Sequence, residues 1–293
     1  MSERIPKPEW LKIQGRRTDE FRDLRLALKD RGLATVCVEA NCPNLTECWS
    51  QKTATIMILG DTCTRGCRFC NVKTGNPRGH LDVKEILHTV EMVGLMGLNY
   101  VVLTSVDRDD LADHGAAHFA SVVRAVHHAH PHTKVEALVP DFGGDPDRMR
   151  TLAASRPYVV AQNLETVRRL THPVRDVRAG YALTLGCLEF YKQQGLMTKT
   201  SLMVGLGETK DELAETLDDL RAVGCDIVTF GQYLQPTVHH LPVERYYSPA
   251  EFLELKHLAY KKGFRFVASG PLVRSSYRAA DFDAAQPLEA VHG

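Results

Sequence analysis

From Ala54 onward, short apolar runs alternate with longer stretches in which apolar residues recur every three or four positions, a strand, loop and helix unit repeated along the chain. The runs predict strands near 54–60, 100–106, 134–140, 158–164, 199–205, 226–233 and 264–269. Several intervening helices carry start signals: Asp82 with Glu85, Thr209 with Glu212, and Ser248-Pro249 with Glu251 each fit a capping box. The helix over 82–96 places Ile86, Leu87, Val90 and Val93 on one face. Alternating strands and helices imply parallel strands joined by right-handed crossovers, and the units are too few for a closed eightfold barrel. The expected fold class is α/β, a partial (β/α)6 TIM-like barrel over residues 54–263, with the last strand and a segment closing the mouth over 264–293.

Ahead of the barrel the pattern changes. Residues 1–15, with Pro6, Pro8 and Gly15, read as an extended arm; Phe21, Leu24 and Leu28 then repeat at helical spacing from Thr18 until Gly32. The whole stretch 1–53 is expected to form an N-terminal extension. Active sites of such barrels lie at the C-terminal ends of the strands. Those ends carry polar groups and glycines in a row: Thr104 and Ser105, Glu136, Asn163 and Glu165, Gly205 to Glu208, Gln232 and Gln235. All are expected to converge on one mouth.

Charge narrows the partners. Lys plus Arg equals Asp plus Glu at 36 each, so no global field favours nucleic acid or an anionic membrane. No apolar run reaches the length of a membrane span and no signal-peptide core is present, so a soluble, cytoplasmic protein is expected. Of eight cysteines, six fall in two tight groups, which favours metal binding in a reducing compartment over a disulfide scaffold.

The first strand leads into Cys63-Thr64-Arg65-Gly66-Cys67-Arg68-Phe69-Cys70, spaced C-x3-C-x2-C. Structural zinc and ferredoxin-type clusters take four protein ligands, so three thiolates leave one metal position open to a substrate or cofactor. A zinc knuckle that borrows a histidine such as His80 is the bland alternative. Cys37, Cys42 and Cys48, spaced C-x4-C-x5-C, form a second triplet. No nucleophile elbow, Walker loop or zinc-protease helix is present, and Gly205-Leu206-Gly207 reads as a backbone approach to a ligand.

The first triplet, with Phe69 before its third cysteine, resembles the signature of the radical S-adenosylmethionine enzymes. With both triplets, the resemblance sharpens to the lipoyl synthases and runs from Phe21 to Arg278. It is carried by Asp107-Arg108-Asp109-Asp110, Val139-Pro140-Asp141-Phe142, Asn163-Leu164-Glu165-Thr166, Leu202 to Glu208, Gly231 to Thr237, and Ser269 to Tyr277 with its Arg274-Ser275-Ser276-Tyr277 element. The chain departs from the family at Gln162 (usually His), at His114-Gly115 (usually a glycine pair) and at Val38 (usually Glu).

The resemblance implies two 4Fe-4S clusters and S-adenosylmethionine. Cys63, Cys67 and Cys70 would hold the cluster that binds S-adenosylmethionine, with Phe69 and Asn71 beside it and Thr104, Ser105, Glu136, Asn163, Glu165 and Arg175 or Arg178 contacting the cofactor. Cys37, Cys42 and Cys48 would hold the auxiliary cluster, its fourth ligand one of Ser275 and Ser276, with Ser276 preferred. The reaction implied is insertion of two sulfur atoms at carbons 6 and 8 of an octanoyl chain on a lysine of a lipoyl carrier domain. Implied partners are the octanoylated domain of a 2-oxoacid dehydrogenase subunit or the glycine-cleavage H-protein, an electron donor such as ferredoxin or flavodoxin, and a cluster-rebuilding carrier. Arg16, Arg17, Arg22, Arg25, Lys29 and Arg31 offer a basic patch for an acidic carrier. The rivals are a sulfur-inserting radical enzyme acting on a free small molecule, as biotin synthase does, and a non-enzymatic zinc-binding adaptor.

Overall fold

A computed structural model describes residues 5–11, 26, 45–50, 52–277 and 279–283. Apart from Leu26, the helix expected from Thr18 lies outside the described residues, as do its basic residues and Cys37 and Cys42. Seven parallel strands form one sheet in chain order: β1 (Thr53–Ile58), β2 (Tyr100–Ser105), β3 (Lys134–Leu138), β4 (Val159–Ala161), β5 (Met197–Val204), β6 (Ile227–Gln232) and β7 (Phe266–Gly270). Six helices alternate with them: α1 (Glu85–Leu95), α2 (Ala116–Ala129), α3 (Pro146–Ala153), α4 (Tyr181–Gln193), α5 (Lys210–Ala222) and α6 (Pro249–Lys261). The sheet is open between β1 and β7, so the architecture is the six-unit partial barrel the pattern predicts. The last strand adds in full register, Ile227 opposite Phe266 through Gly231 opposite Gly270.

The period of two along each strand sorts side chains into two layers. Val101 and Leu103 pack outward with Phe119, Val122 and Val123 of α2, while Tyr100 and Val102 face the lumen together with Leu138. The capping boxes at Thr209/Glu212 and Ser248/Glu251 both form. The one at Asp82/Glu85 does not. Helix α1 starts at Glu85 without a side-chain cap, because the Glu85 carboxylate is drawn inward. It accepts the Leu59 and Gly60 peptide N–H groups at 2.8 and 3.2 Å and meets His118 Nε2 at 2.8 Å. On that helix Val93 is buried and Ile86 and Val90 are half-buried, but Leu87 is 59 % exposed and leaves the predicted apolar face.

After β7 the chain turns back across the lumen side of the sheet. The Val273 carbonyl lies so close over Gly231 that a Cβ at 231 would sit 2.2 Å from its oxygen, which accounts for a glycine in the middle of a buried strand. Ala279, further on, is buried against Tyr100 and Val102. The C-terminal segment therefore spans the lumen from β6 to β2.

Candidate active site

The cysteine loop leaves β1 through two left-handed residues, Leu59 at φ +67° and Gly60 at φ +87°, and the Glu85 carboxylate fixes this bend from below. A conformation costly for leucine is held by a buried carboxylate that is itself held by His118. A two-residue ladder then pairs Thr62–Cys63 with Lys73–Thr74, and the Gly75 N–H donates to the Cys63 carbonyl at 2.9 Å. The loop is thus pinched at its base, with Cys67 and Cys70 on its crown.

Four neighbouring loops clamp it. Arg65 is buried, and its guanidinium donates to both Asp141 oxygens at 2.6 and 2.8 Å and to Asp109 at 3.1 and 2.9 Å, with Asp107 at 3.4 Å. A planar fork meeting a carboxylate in two places fixes orientation as well as charge. From the segment before α4, Asp176 accepts the Gly66 N–H at 2.8 Å, and Arg178 donates to the Thr64 carbonyl at 2.7 Å. From the loop after β6, the Leu241 N–H donates to the Arg68 carbonyl at 3.2 Å, and His240 Nε2 meets the Cys70 carbonyl at 3.0 Å.

Burial pushes the thiols of Cys63, Cys67 and Cys70 up to about 11, and each is raised further by another of the three. Burial likewise raises Asp107, beside Cys63, to about 6. Thiols buried in this way are not poised as nucleophiles, and because burial raises Cys187 and Cys225 as well, it is the grouping of three cysteines in one loop that marks a metal site. Among the described residues, no three His, Cys, Asp or Glu side chains already close around a single ion-sized point. Cys187 and Cys225 are buried, with their thiols against the Asp141 and Ile227 carbonyls, and belong to the core as expected.

The mouth beside this loop carries polar atoms that are buried without a partner: Ser105 Oγ, Asn163 Oδ1 and Arg175 Nε. Such atoms are costly unless something binds there. Glu165 stands with them at φ +70°, where the chain rejoins the sheet through the Glu165 N–H to the Ser201 carbonyl at 3.0 Å and the Met203 N–H to the Glu165 carbonyl at 2.8 Å. Burial raises its carboxyl above the usual range, with Arg175 and Asn163 opposing. Thr104, one residue before the end of β2, lies on the lumen face with Tyr100 and Val102. An amino-acid cofactor with an amino and a carboxylate group fits this set of one carboxylate, one guanidinium and uncommitted amide and hydroxyl oxygens.

Two expected contacts lie elsewhere. Glu136 occupies the middle of β3, and both of its oxygens take Lys199 Nζ, at 2.8 and 3.0 Å, while Tyr100 donates to it at 2.9 Å. It stands in the lumen one layer below the mouth, committed to an ion pair. Arg178 is spent on Asp176, Asp109 and the Thr64 carbonyl, whereas Arg175 donates to Thr184 Oγ1 at 3.0 Å and to the Leu164 carbonyl at 3.4 Å and keeps its buried Nε without a partner. Phe69 packs half-buried on the core around α5 and α6, and Asn71 is exposed. Gln232 and Glu208 serve their own loops: Gln232 donates to the carbonyls of Val204, Tyr233 and Arg245, and Glu208 accepts the Gly205 and Leu206 N–H groups. Sequence reasoning missed the Arg65 clamp, the Glu85–His118 pair and Asp176; the signal for the first was a charged residue inside the three-cysteine spacing.

Of the second triplet, Cys48 lies half-buried in the short helix Leu45–Ser50. Its neighbour Glu47 accepts the Tyr277 hydroxyl at 3.1 and 3.2 Å, a contact between residues 230 apart. That contact brings the segment of Ser275 and Ser276 to the helix of Cys48.

The comparisons with known proteins agree with this geometry. Residues 57–220, more than half the chain, match the family model of the Radical SAM superfamily. The chain is similar to the lipoyl synthase of Legionella pneumophila (strain Paris), 57 % identical over 279 residues that cover 94 % of this chain and 85 % of that one. It is 54 % identical over 277 residues, with the same coverage, to the lipoyl synthase of Francisella tularensis subsp. novicida (strain U112). Among solved structures, the fold resembles methylornithine synthase (PylB), with a TM-score of 0.58 at 16 % identity over 82 % of this chain and 73 % of that one. It also resembles the FeFe-hydrogenase maturase HydG from Carboxydothermus hydrogenoformans, with a TM-score of 0.59 at 14 % identity over 74 % and 53 %. With its cysteine loop at the end of β1 and its sequence alike over nearly the whole length, the chain belongs to the lipoyl synthase family of the Radical SAM superfamily.

Proposed function

We propose that the protein inserts two sulfur atoms, at carbons 6 and 8, into an octanoyl chain carried on a lysine of a lipoyl carrier domain. Two molecules of S-adenosylmethionine are consumed, one for each hydrogen atom removed, and both sulfurs come from the auxiliary cluster. The carbons attacked have no acidic proton and no leaving group, so acid–base and nucleophilic catalysis have nothing to act on. When bound, a 4Fe-4S cluster with S-adenosylmethionine supplies a radical able to take a hydrogen atom from such a carbon.

The chain's own residues bind, orient and exclude. Cys63, Cys67 and Cys70 would hold the first cluster and leave one corner for the cofactor. Glu165 and Arg175 would take the cofactor's amino and carboxylate groups, with Asn163, Ser105 and Thr104 orienting the rest. The C-terminal segment, which crosses the lumen between β6 and β2, would help to keep water out of the site. Cys37, Cys42 and Cys48 would hold the second cluster, with Ser275 or Ser276 closing it. A serine oxygen is a harder ligand than a thiolate in a sulfur-rich iron site and leaves more readily.

The observation that supports this reading is the Tyr277–Glu47 contact, which brings the segment of Ser275 and Ser276 to the helix that carries Cys48. Partners proposed with it are the octanoylated domain of a 2-oxoacid dehydrogenase or an H-protein, a ferredoxin or flavodoxin as reductant, and a carrier that rebuilds the spent cluster. The test is anaerobic turnover of reconstituted protein with octanoylated carrier domain and, separately, with free octanoate, read by product mass. A carrier mass gain of two sulfurs, less two hydrogens once the dithiol is oxidised in air to the disulfide, is expected only on the domain. Product from free octanoate alone would favour an enzyme of small molecules.

The serines give a sharper result. The double variant Ser275→Ala/Ser276→Ala is expected to keep cleaving S-adenosylmethionine while lipoyl formation falls by more than about 100-fold, beyond what loss of a supporting contact costs. Unchanged lipoyl formation would remove both hydroxyls from the site.

A further inference from the structure

Every sulfur of the first triplet receives at least one peptide N–H. Cys63 takes those of Arg65, at 3.4 Å, and Asp107, and Cys70 takes that of Val72. Cys67 takes the N–H of Asp176 at 3.3 Å, from a segment 109 residues further along the chain. A donor that arrives from so far away depends on whatever holds its segment in place. Here the holding is explicit: the Asp176 carboxylate accepts the Gly66 N–H at 2.8 Å, next in sequence to Cys67, so the side chain of Asp176 grips the Gly66 peptide while its main chain donates to the Cys67 sulfur. Arg178 completes the grip, donating to both Asp176 oxygens at 2.8 and 3.1 Å, to Asp109 at 3.1 Å and to the Thr64 carbonyl at 2.7 Å. On the same side the Arg68 N–H donates to the Val174 carbonyl at 2.9 Å, and the Arg68 guanidinium to the Pro173 carbonyl at 3.1 Å.

Hydrogen bonds to the sulfurs of an iron–sulfur centre stabilise its more negative, reduced state and so raise its reduction potential. We infer that Asp176, locked by Arg178, is a positioning residue that holds the Asp176 N–H on Cys67 and thereby sets the reduction potential of the cluster on Cys63, Cys67 and Cys70. Arg178 accordingly acts on the cluster through Asp176. The inference rests on the reading that these cysteines hold a cluster.

Potential has to be separated from charge. Asp176→Asn and Asp176→Ala remove the same charge, but only Asn keeps an oxygen to accept the Gly66 N–H. Their difference therefore reads the grip and its N–H···S bond. The full chain, reconstituted anaerobically, would be titrated against potential by EPR, following the part of the reduced signal that changes on adding S-adenosylmethionine. At a fixed potential near the midpoint, the reduced-to-oxidised ratio of Asp176→Ala is expected to fall roughly tenfold below that of Asp176→Asn, a shift of about 59 mV for one electron. Pulsed EPR in heavy water should show one exchangeable deuteron coupling weakened in Asp176→Ala and kept in Asp176→Asn. Arg178→Ala against Arg178→Gln, at an exposed position that tolerates change, repeats the comparison should Asp176→Ala fail to fold. Equal midpoints within both pairs at full iron loading would overturn the inference. Wild-type protein that takes up no cluster at Cys63, Cys67 and Cys70 would instead overturn the functional reading beneath it.

Discussion

Replacing Cys63, Cys67 and Cys70 together by Ala is expected to bring reductive cleavage of S-adenosylmethionine down to the level seen without enzyme. The reason is the number of ligands. A cluster with a free corner needs all three thiolates, and no other described cysteine can stand in, since Cys187 and Cys225 are buried in the core and Cys48 belongs to the second group. The fold should survive, because the loop is held by Arg65, Asp176 and His240 rather than by its sulfurs. Relief of three buried thiols costs little, so near-wild-type circular dichroism with roughly half the iron is the expected companion result. Measured 5'-deoxyadenosine formation decides it: persistence in the triple variant would mean that the other triplet binds the cofactor.

The cysteine loop and the six β/α units were legible because their signals are local. Spacing of three thiols, period-two strands and helical caps each need only a few neighbouring residues. Legibility failed where a local signal competed with a distant partner. Glu85 satisfies the spacing of a capping box, yet two left-handed peptides at 59 and 60 and His118 offered its carboxylate more than the helix end did. Polar residues at strand ends were read as one convergent set. The structure divides them into atoms without partners, at Ser105 and Asn163, and atoms consumed by their own loops, at Gln232 and Glu208. Sequence order cannot show that division, because the partners of Gln232 come from three different stretches of backbone. Asp176 was invisible for the same reason, being significant only through a sulfur 109 residues away.

Glu136 carries the second large effect, on stability rather than chemistry. It and Lys199 are 0 % and 3 % exposed, face each other across the lumen from β3 and β5, and share Tyr100 as a third partner. Removing one member of a buried pair strands the other charge without water. Lys199→Met or Glu136→Leu alone is therefore expected to destabilise the fold by about 3–5 kcal/mol, read as a lower denaturant midpoint. Replacing both should restore most of the loss, because two apolar side chains of similar volume need no mutual charge. Tyr100→Phe, which leaves the ion pair intact, should cost only about 1.5–3 kcal/mol, the net worth of one hydrogen bond to a charged group. If the pair is a lumen support, cofactor binding in the double variant stays near the wild-type level once it is folded. A double variant as stable as wild type that no longer binds S-adenosylmethionine would return Glu136 to the cofactor site, while equal and additive losses in the single and double variants would show that the two charges are not coupled at all.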